Sequence, residues 1–284
     1  MTSSAPSSRR GRPPRQAAFD AFAGAIEELR QLGGLPTFSV EQPAWHALWL
    51  SEAHLSTAVE GNTLALREVE ALLDQGRTVG AKELTEYLEV LGYAEASRWV
   101  FAQADAGRRY EHDRLVTLTE LRELHRLALG PVWEVAPHPA ADPSEAPGSF
   151  RRHEIRSFPG GMTPPTFPLV PPMLDDWLRK ANEFGRRAVS DGFDAASAPV
   201  TLAELHAEFE RIHPFIDGNG RAGRLVLNLM LARLRWPPVL VFKSGRHRYL
   251  SGLTAADRGN PEALAEILAR SAVSSLHRLM PGLT

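Results

Sequence analysis

The chain has 284 residues, of which 43% are hydrophobic and 23% charged, and its formal net charge is -2. This composition is typical of an ordinary globular protein, and the small net charge excludes a strong general attraction to nucleic acid or anionic membranes. The absence of cysteine excludes disulfides, thiolate metal sites and a cysteine nucleophile. No apolar run approaches the roughly 18 residues of a membrane span, and no signal-peptide pattern opens the sequence, so we expect a cytoplasmic protein.

The first 18 residues differ from the rest of the chain. The stretch "MTSSAPSSRRGRPPR" carries four arginines and no acidic residue among serine, proline and glycine. Such a segment cannot bury enough apolar surface to fold, so we predict a disordered basic tail over residues 1–18. Because it lacks aromatic residues that could stack on bases, we interpret it as solubilising and do not expect nucleic acid as a partner.

Helical patterns fill most of the following sequence. Apolar spacing predicts helices over 19–32 and over 43–60, the second beginning at Pro43 and stopped by a glycine. Thr63 is a candidate N-cap for a helix over 63–76, and a long helix is predicted over 82–106. Capping-box pairs at Thr117 with Glu120 and at Thr201 with Glu204 predict helices that run toward residues 129 and 212. Further helices are predicted over 172–187, 220–235, 248–257 and 261–279.

The region from Gly130 to Pro172 is rich in proline and glycine. One extended stretch, "SFRRHEIRSF", precedes "PGGMTPPTFP", and this order predicts a long loop with a short β-hairpin at Gly160 and Gly161. Loops of this length within a compact domain are commonly functional or disordered. The predicted fold class is mainly α with one small hairpin.

The stretch "IHPFIDGNGRAGR" (residues 212–224) predicts a loop between two helices. Gly218 and Gly220 allow close backbone approach, and successive amides at the start of the second helix form an anion-binding site. Arg221 and Arg224 are three residues apart, so both can reach one anion, and their planar guanidinium groups suit phosphate oxygens. The segment therefore predicts a polyphosphate site.

Two further residues of this stretch indicate what the site does. Asp217 is a hard oxygen ligand of the kind that Mg²⁺ accepts when phosphates complete its coordination. His213 titrates near neutral pH and can act as a general base. Each piece alone could be structural, but together within thirteen residues they indicate a nucleotide-dependent transferase.

The same stretch carries a family resemblance. "HPFIDGNGRAGR" matches the signature HPFxDGNGRxxR of the Fic (Fido) domain family at every specified position. The flanking stretches "HAEFERIHPF", "GSFRRHEI" and "RYLSGLTAADRGNPEAL" are also similar, so the resemblance covers roughly Ser51 to Leu279. It implies a Fic-type helical bundle with one small β-hairpin flap. The implied division is an N-terminal helical region over 19–110 and a Fic catalytic domain over 111–284.

The resemblance implies a protein adenylyltransferase, which transfers AMP from ATP to a Ser, Thr or Tyr hydroxyl of a target protein and releases pyrophosphate. The implied roles are His213 as base, Asp217 as the Mg²⁺ ligand, and Gly218, Asn219, Gly220, Arg221 and Arg224 as the phosphate site. The expected partners are ATP and a target protein that the sequence does not name. No membrane is expected, and a homodimer is left open.

Two weaker sets of residues follow from the same resemblance. Gly161, Met162 and Thr163 belong to the flap expected to align the target by strand addition. Tyr249 and Asp257 are candidates for the nucleoside end of the pocket. Some family members carry Asn where this chain has Asp257, which weakens that assignment.

A glutamate at the end of a predicted helix raises a separate question. Glu60 lies in the last turn before Gly61, at the negative end of the helix dipole, where an acid is unfavourable by roughly 0.3–1 kcal/mol. The spacing Ser56-x-x-x-Glu60-Gly61 resembles the family's inhibitory motif, (S/T)xxxE(G/N). The resemblance implies that Glu60 pairs with Arg224 and blocks productive ATP binding.

Three other functions are alternatives to this interpretation. The same site could remove AMP, with Glu60 orienting water. Phosphoryl transfer is disfavoured because both glycines of the anion site, Gly218 and Gly220, are present. A non-catalytic nucleotide sensor is disfavoured by the intact His213 and Asp217. We also do not expect a nucleic-acid-binding regulator that uses the arginine tail, because the sequence past Leu279 has no winged-helix pattern.

Overall fold

The computed structural model describes residues 14–39, 42–106, 114–155 and 162–279. These residues form ten α-helices and, within the described ranges, no strand. In chain order the helices are α1 (Arg15–Gln31), α2 (Pro43–Glu60), α3 (Leu66–Gln75), α4 (Leu84–Ala106), α5 (Leu118–Val135), α6 (Val170–Ala188), α7 (Ala198–Ile212), α8 (Asn219–Arg233), α9 (Arg246–Asp257) and α10 (Glu262–Leu279). Among the described helices, none has the length and apolar character needed to cross a bilayer.

The helix α8 lies at the centre of the bundle. It packs against α2, α4, α5 and α7, and most of its residues are buried, including the polar Arg224 and Asn228. One hydrophobic cluster extends from Ala18 in α1 to Ala272 in α10. The regions predicted as 19–110 and 111–284 therefore share one core, and the boundary between them stays a prediction. This packing brings the end of α2 against the start of α8.

The helix α2 has the bounds that the sequence predicts. Pro43 occupies its first turn, and Gly61 ends it with φ +116°, a conformation that a residue with a side chain rarely adopts. The α5 capping box is also present, since the Thr117 hydroxyl accepts the Glu120 N–H at 3.3 Å. α5 runs past Gly130 and Pro131 to Val135, so the predicted loop begins later than expected. The last turn is held by burial of Val132 against the core.

Two predicted helix starts are wrong. Thr63 does not cap α3, because its hydroxyl accepts from Lys82 Nζ at 3.0 Å and its N–H donates to the Glu86 carboxylate at 2.7 Å, and the helix begins three residues later. Thr201 lies inside the first turn of α7, which begins at Ala198. A short 3-10 turn started by Asp194, whose Oδ1 accepts the Ala196 N–H at 3.0 Å, leads directly into that helix.

The basic tail predicted over residues 1–18 ends earlier than expected. α1 begins at Arg15, and Ala18 is buried against the core, so residues 15–18 are helical. Residues 1–13 lie outside the described part of the chain. The hairpin predicted at Gly160 and Gly161 also falls outside it, because residues 156–161 are not described.

Candidate active site

The loop between α7 and α8 carries the predicted site. His213 follows the last residue of α7 in the left-handed conformation, φ +49° and ψ +62°, which turns the chain out of the helix. Gly218 closes the loop with φ +73°, and a Cβ built on it would lie 2.5 Å from Leu129 Cδ2. Asn219 fixes the loop from inside, because its amide accepts the Phe215 N–H and donates to the Phe215 carbonyl, both at 2.9 Å. Its side chain is therefore a clamp, and only its backbone is available to a phosphate.

A second histidine, which sequence reasoning missed, supports this loop from α5. His125 Nδ1 accepts the Gly148 N–H at 2.8 Å, so the proton is on Nε2, which donates to the Asp217 carbonyl at 2.9 Å. Its ring stacks on Phe215 with centroids 3.6 Å apart. Burial lowers the pKa of His125 to about 4, so it stays neutral and keeps this hydrogen-bond pattern. A histidine on the apolar face of a predicted helix was the available signal.

The imidazole of His213 is in the form that a general base needs. Its Nδ1 lies 3.1 Å from the Glu210 carbonyl, and a carbonyl can only accept, so Nδ1 carries the proton and the basic lone pair is on Nε2. Burial lowers the pKa of His213 to about 4, with a smaller contribution in the same direction from the charge of Arg151. The ring is therefore neutral at physiological pH and can accept a proton.

Arg221 provides an anion-binding group with spare donors. Its side chain is buried, with Nη2 3.4 Å from Asp217 Oδ2 and Nη1 3.6 Å from Glu89 Oε1. Nε and Nη1 have no hydrogen-bond partner among the described residues. A buried guanidinium with unused donors is costly unless a ligand completes it, and phosphate oxygens have the matching geometry.

Arg224 is held by α2. Its Nη2 lies 2.7 Å from Glu60 Oε1, its Nε donates to the Ser56 hydroxyl at 2.6 Å, and Nη2 also donates to the Ser56 carbonyl at 3.1 Å. The structure thus brings together the predicted pair Glu60 and Arg224. Burial alone would raise the pKa of Glu60, but the Arg224 guanidinium outweighs it and the pKa falls below its ordinary value. The Glu60 side chain remains 38% exposed, so it can leave Arg224 without disrupting the core.

The unfavourable position of Glu60 at a helix C-terminus is offset by more than Arg224. Arg246, at the start of α9, donates from Nε to the Val59 carbonyl at 2.6 Å, and Lys243 Nζ lies 3.5 Å from the Asn62 carbonyl. Cations at a helix C-terminus are stabilising because they complement the dipole and its unpaired carbonyls. Sequence reasoning missed these contacts, although the stretch "KSGRHRY" is conspicuously basic.

A buried polar network joins α2, α4 and α8 beneath the Glu60–Arg224 pair. The Glu52 carboxylate accepts hydrogen bonds from the Tyr93 hydroxyl at 3.2 Å, from the Asn228 amide at 2.6 Å and from the Ser97 hydroxyl. Burial raises the pKa of Glu52, and these three donors oppose the rise. The network fixes α2 relative to α8 and therefore Ser56 relative to Arg224.

The residues predicted for the nucleoside end lie farther along α9. Tyr249 is buried, and its hydroxyl is 2.6 Å from Nε2 of His206 in α7. Asp257 pairs with Arg211 at 3.2 Å. Both side chains thus contact α7, and a nucleoside role for either stays a prediction.

The flap residues are only partly described. Gly161 lies outside the described residues, Met162 is buried and Thr163 is exposed. The segment that follows is anchored, because the Pro165 carbonyl accepts from Arg151 Nη2 at 2.6 Å.

Asp217 suits a metal that arrives with phosphates. Its Oδ1 accepts the Gly218 N–H at 2.6 Å, and its side chain is 48% exposed, so carboxylate lone pairs remain accessible. In the described part of the chain, no three His, Asp or Glu side chains cluster as a metal site. A single carboxylate completed by substrate phosphates and water is the coordination that Mg²⁺ commonly takes.

Comparison with known proteins identifies the family. The profile of the Fic/DOC family matches residues 115–231. The "Protein adenylyltransferase Fic" of Drosophila willistoni is 29% identical over 259 residues, which is 90% of this chain and 45% of the relative. That of Drosophila virilis is 31% identical over 218 residues, 75% of this chain and 39% of the relative. The chain thus spans less than half the length of these curated relatives.

Solved structures agree with this assignment. A fragment of Fic-1 from C. elegans superposes with a TM-score of 0.71 and 25% identity, covering 94% of this chain and 71% of that one. A Fic domain containing signaling protein from Bacteroides thetaiotaomicron superposes with a TM-score of 0.70 and 19% identity, covering 95% and 96%, which shows a shared fold. With the signature loop placed between α7 and α8, residues 115–231 form a Fic domain, and the chain belongs to the Fic/DOC family.

Proposed function

We propose that the protein is an adenylyltransferase that moves AMP from ATP onto a hydroxyl of a target protein, and that Glu60 holds it inactive. The observation that supports this most is the form of His213, a neutral imidazole whose lone pair is on Nε2, beside the amides and arginines that begin α8. The relatives from Drosophila, named protein adenylyltransferases, support the same reaction.

In the proposed reaction, His213 Nε2 takes the proton of a Ser, Thr or Tyr hydroxyl. The hydroxyl oxygen then bonds to the α-phosphorus of ATP while the bond to the α–β bridging oxygen breaks, and pyrophosphate leaves. Arg221, with its unused Nε and Nη1 donors, offsets the charge on the phosphates. Asp217 would hold Mg²⁺, which when bound neutralises phosphate charge and orients the leaving group.

In this proposal, inhibition depends on whether Arg224 is paired with Glu60 or is available to the terminal phosphate of ATP. While Arg224 donates to Glu60 and Ser56, its guanidinium is unavailable to the terminal phosphate. The ionised carboxylate also repels that phosphate. A Cβ on Gly220 would lie 2.5 Å from Glu60 Oε1, so the carboxylate contacts the first turn of α8, where the phosphates would bind.

In this proposal the flap presents the target protein to the site. The segment at 160–165 would align the target strand through backbone pairing, as strand addition does. ATP as the nucleotide and a cytoplasmic location are expectations from the sequence that this proposal keeps, and a homodimer stays open.

Removal of AMP is the second candidate, and one observation favours it. Glu60 is ionised and 38% exposed beside the proposed phosphate site, so its carboxylate could orient a water molecule. The two candidates predict opposite effects of Glu60→Gly. The substitution activates transfer in the first case and abolishes hydrolysis in the second.

ATP labelled separately at the α- and γ-phosphates tests the proposal. Purified wild type, Glu60→Gly and His213→Ala are each incubated with Mg²⁺ and a cell lysate, and protein-bound label is counted. We expect α-label on protein to be strong with Glu60→Gly, weak with wild type and absent with His213→Ala.

Each other result has a defined meaning. Attachment of γ-label would show phosphoryl transfer and overturn the assignment of the leaving group. Absence of label with every variant, although ATP binds, would overturn the transferase. AMP removal would then be tested by adding wild type and Glu60→Gly to protein that already carries AMP.

A further inference from the structure

Arg151 is a buried arginine whose hydrogen-bond partners are main-chain carbonyls. It follows the short 3-10 helix at 143–145, and its side chain is fully buried, 4.0 Å from Glu154 at the nearest carboxylate. Nε donates to the His213 carbonyl at 2.8 Å, Nη2 to the Pro165 carbonyl at 2.6 Å and Nη1 to the His153 carbonyl at 3.2 Å. A charged group this deeply buried is costly, so its retention with this set of acceptors calls for a physical explanation.

Two of these acceptors, the carbonyls of His213 and Pro165, belong to separate parts of the proposed site. His213 carries the base, and the backbone N–H of Arg151 also donates to the next carbonyl, that of Pro214, at 2.9 Å. Pro165 belongs to the segment that leaves the flap. Because a guanidinium is rigid and planar, one side chain that donates to both segments fixes the distance and angle between them.

The conformation of His213 gives this contact its importance. A non-glycine residue in the left-handed region is strained and persists only where its surroundings hold it. The carbonyl of this residue is the one that Arg151 Nε binds. Loss of that hydrogen bond would let the chain relax at His213 and turn the imidazole away from its present position.

The charge of Arg151 acts on the same imidazole. Arg151 disfavours protonation of His213, whereas the carboxylates of Asp217 and Glu60 and the Glu210 carbonyl favour it. Arg151 is the cation among these groups and helps to keep the base neutral.

The segment that presents Arg151 is itself fixed. The buried Glu145 carboxylate accepts the N–H groups of Arg152 and Asp142 and lies 2.9 Å from His153 Nδ1. A backbone held on both sides in this way can position the intervening guanidinium reproducibly.

We infer that Arg151 is a positioning residue that holds the base His213 and the segment leaving the flap in one fixed relation, so that a hydroxyl on a flap-bound target meets the base. This inference rests on the proposed transferase activity. It predicts that Arg151 matters for the target protein and for the base, but not for ATP, since it contacts neither Arg221 nor Arg224.

The test uses the full chain carrying Glu60→Gly as parent, ATP with Mg²⁺, and the lysate protein that takes up α-label, once purified. Arg151→Lys keeps the charge but cannot reproduce the planar fork, and Arg151→Gln removes both. Arg152→Gln is the matched control, because it removes an adjacent, exposed arginine. For each variant we measure kcat, KM for ATP, KM for the target, the active fraction, the pH profile of kcat/KM and the thermal unfolding midpoint.

We expect both Arg151 variants to lower kcat/KM for the target by on the order of 10²-fold, the loss typical of misplaced reacting groups, with KM for ATP unchanged. The acid limb of the pH profile should move to higher pH in Arg151→Gln and stay near the parent in Arg151→Lys. Arg152→Gln should match the parent in all of these.

A merely structural role would give a different result. It would lower the unfolding midpoint and the active fraction, with KM for both substrates and the pH profile unchanged, and that outcome would overturn the inference. If Arg151→Gln does not fold, Arg151→Lys alone decides: a fall in kcat/KM for the target that exceeds the loss of active fraction supports the inference, and a fall that only matches it overturns the inference. An inactive parent would instead count against the proposed function.

Discussion

Two residues in the left-handed conformation define the two ends of the signature loop. His213 turns the chain out of α7, and Gly218 turns it into α8. Between them the loop is fixed by Asn219 from within and by His125 from α5. The position of each amide that could bind phosphate therefore depends on side chains that never contact the phosphate.

Gly218→Ala is predicted to destabilise the protein and weaken ATP binding. An alanine would be strained by φ +73°, at about 1–2 kcal/mol, and would also press on Leu129 Cδ2 2.5 Å away, at about a further 1–3 kcal/mol. Urea unfolding measures the free-energy change, and a fluorescent ATP analogue measures binding.

Gly192→Ala provides the matched control for that substitution. Gly192 has φ +78°, but a Cβ there would have nothing within 4 Å, so it reports backbone strain alone. We expect Gly218→Ala to cost more than Gly192→Ala by the contact with Leu129. Equal losses for the two variants would show that Leu129 does not press on the loop.

At the scale of helices, the inhibitory arrangement depends on where α2 ends. Its bounds are readable from sequence because proline and glycine act locally, at Pro43 and Gly61. The starts predicted at Thr63 and Thr201 are wrong. Thr63 is held by contacts distant in sequence, including the Glu86 carboxylate, and a 3-10 turn that begins at Asp194 leads into α7 before Thr201. The pair Glu60 and Arg224 was predictable only because a family pattern connects residues 164 positions apart.

The supports of that arrangement were not predictable in this way. Arg246 contacts Val59 across 187 positions, and His125 contacts Asp217 across 92. Neither pair has a spacing rule, because their proximity results from the packing of the 3-10 turn at 243–245 on α2 and of α5 on α8. Local propensity decides where helices lie, and tertiary packing decides which of their side chains meet.

Arg246→Gln is predicted to release part of the inhibition. Loss of its hydrogen bond to the Val59 carbonyl removes one restraint on the last turn of α2, and with it the cation that helps to keep Glu60 ionised. We expect faster amide hydrogen exchange in residues 57–60 and transferase activity several-fold above wild type.

Arg248→Gln is the control for this experiment, since it removes an exposed arginine from the same helix. Faster exchange without a gain in activity would mean that α2 loosens while Glu60 still occupies Arg224. Unchanged exchange would show that Arg246 does not restrain α2.

The whole molecule carries an unusual set of buried titratable groups around α7 and α8. Burial lowers the pKa of His125 and His213 to about 4 and that of His206 to about 3, from an ordinary value of 6.5. Burial raises the pKa of Glu210 to about 8 from 4.5, and it also raises that of Glu52. The histidines are thus held neutral by folding, and Glu210 keeps its proton up to about pH 8.

These shifts have opposite signs for stability. Between about pH 6.5 and 4 the unfolded histidines bind protons that the folded ones do not, so acid destabilises the protein through them. From pH 4.5 up to about 8 the folded Glu210 keeps a proton that the unfolded state has lost, so rising pH destabilises it through Glu210. At pH 6.5 the unfolded histidines are still half protonated, and above about pH 7.25 their contribution is smaller than that of Glu210.

We therefore predict that stability falls as pH rises from about 7.25 to 8, and that Glu210→Gln removes much of this fall. One proton of difference changes the free energy of unfolding by about 1.4 kcal/mol per pH unit, which is the largest slope that Glu210 alone can supply. Urea unfolding at pH 7.25, 8 and 8.75 measures the slope, with Glu204→Gln, exposed on the same helix, as control.

The same experiment connects stability to the inhibitory contact. Burial is the largest cause of the raised pKa of Glu210; Arg224 opposes it, and the charge of Glu60 adds to it. Removing that charge with Glu60→Gly should lower the pKa of Glu210, so the fall in stability should end at a lower pH than in wild type. Identical pH profiles for wild type and Glu60→Gly would show that the two carboxyl groups do not interact through Arg224. If the fall in stability ends at a lower pH in Glu60→Gly, the pKa of the buried Glu210 in α7 depends on whether Glu60 is paired with Arg224.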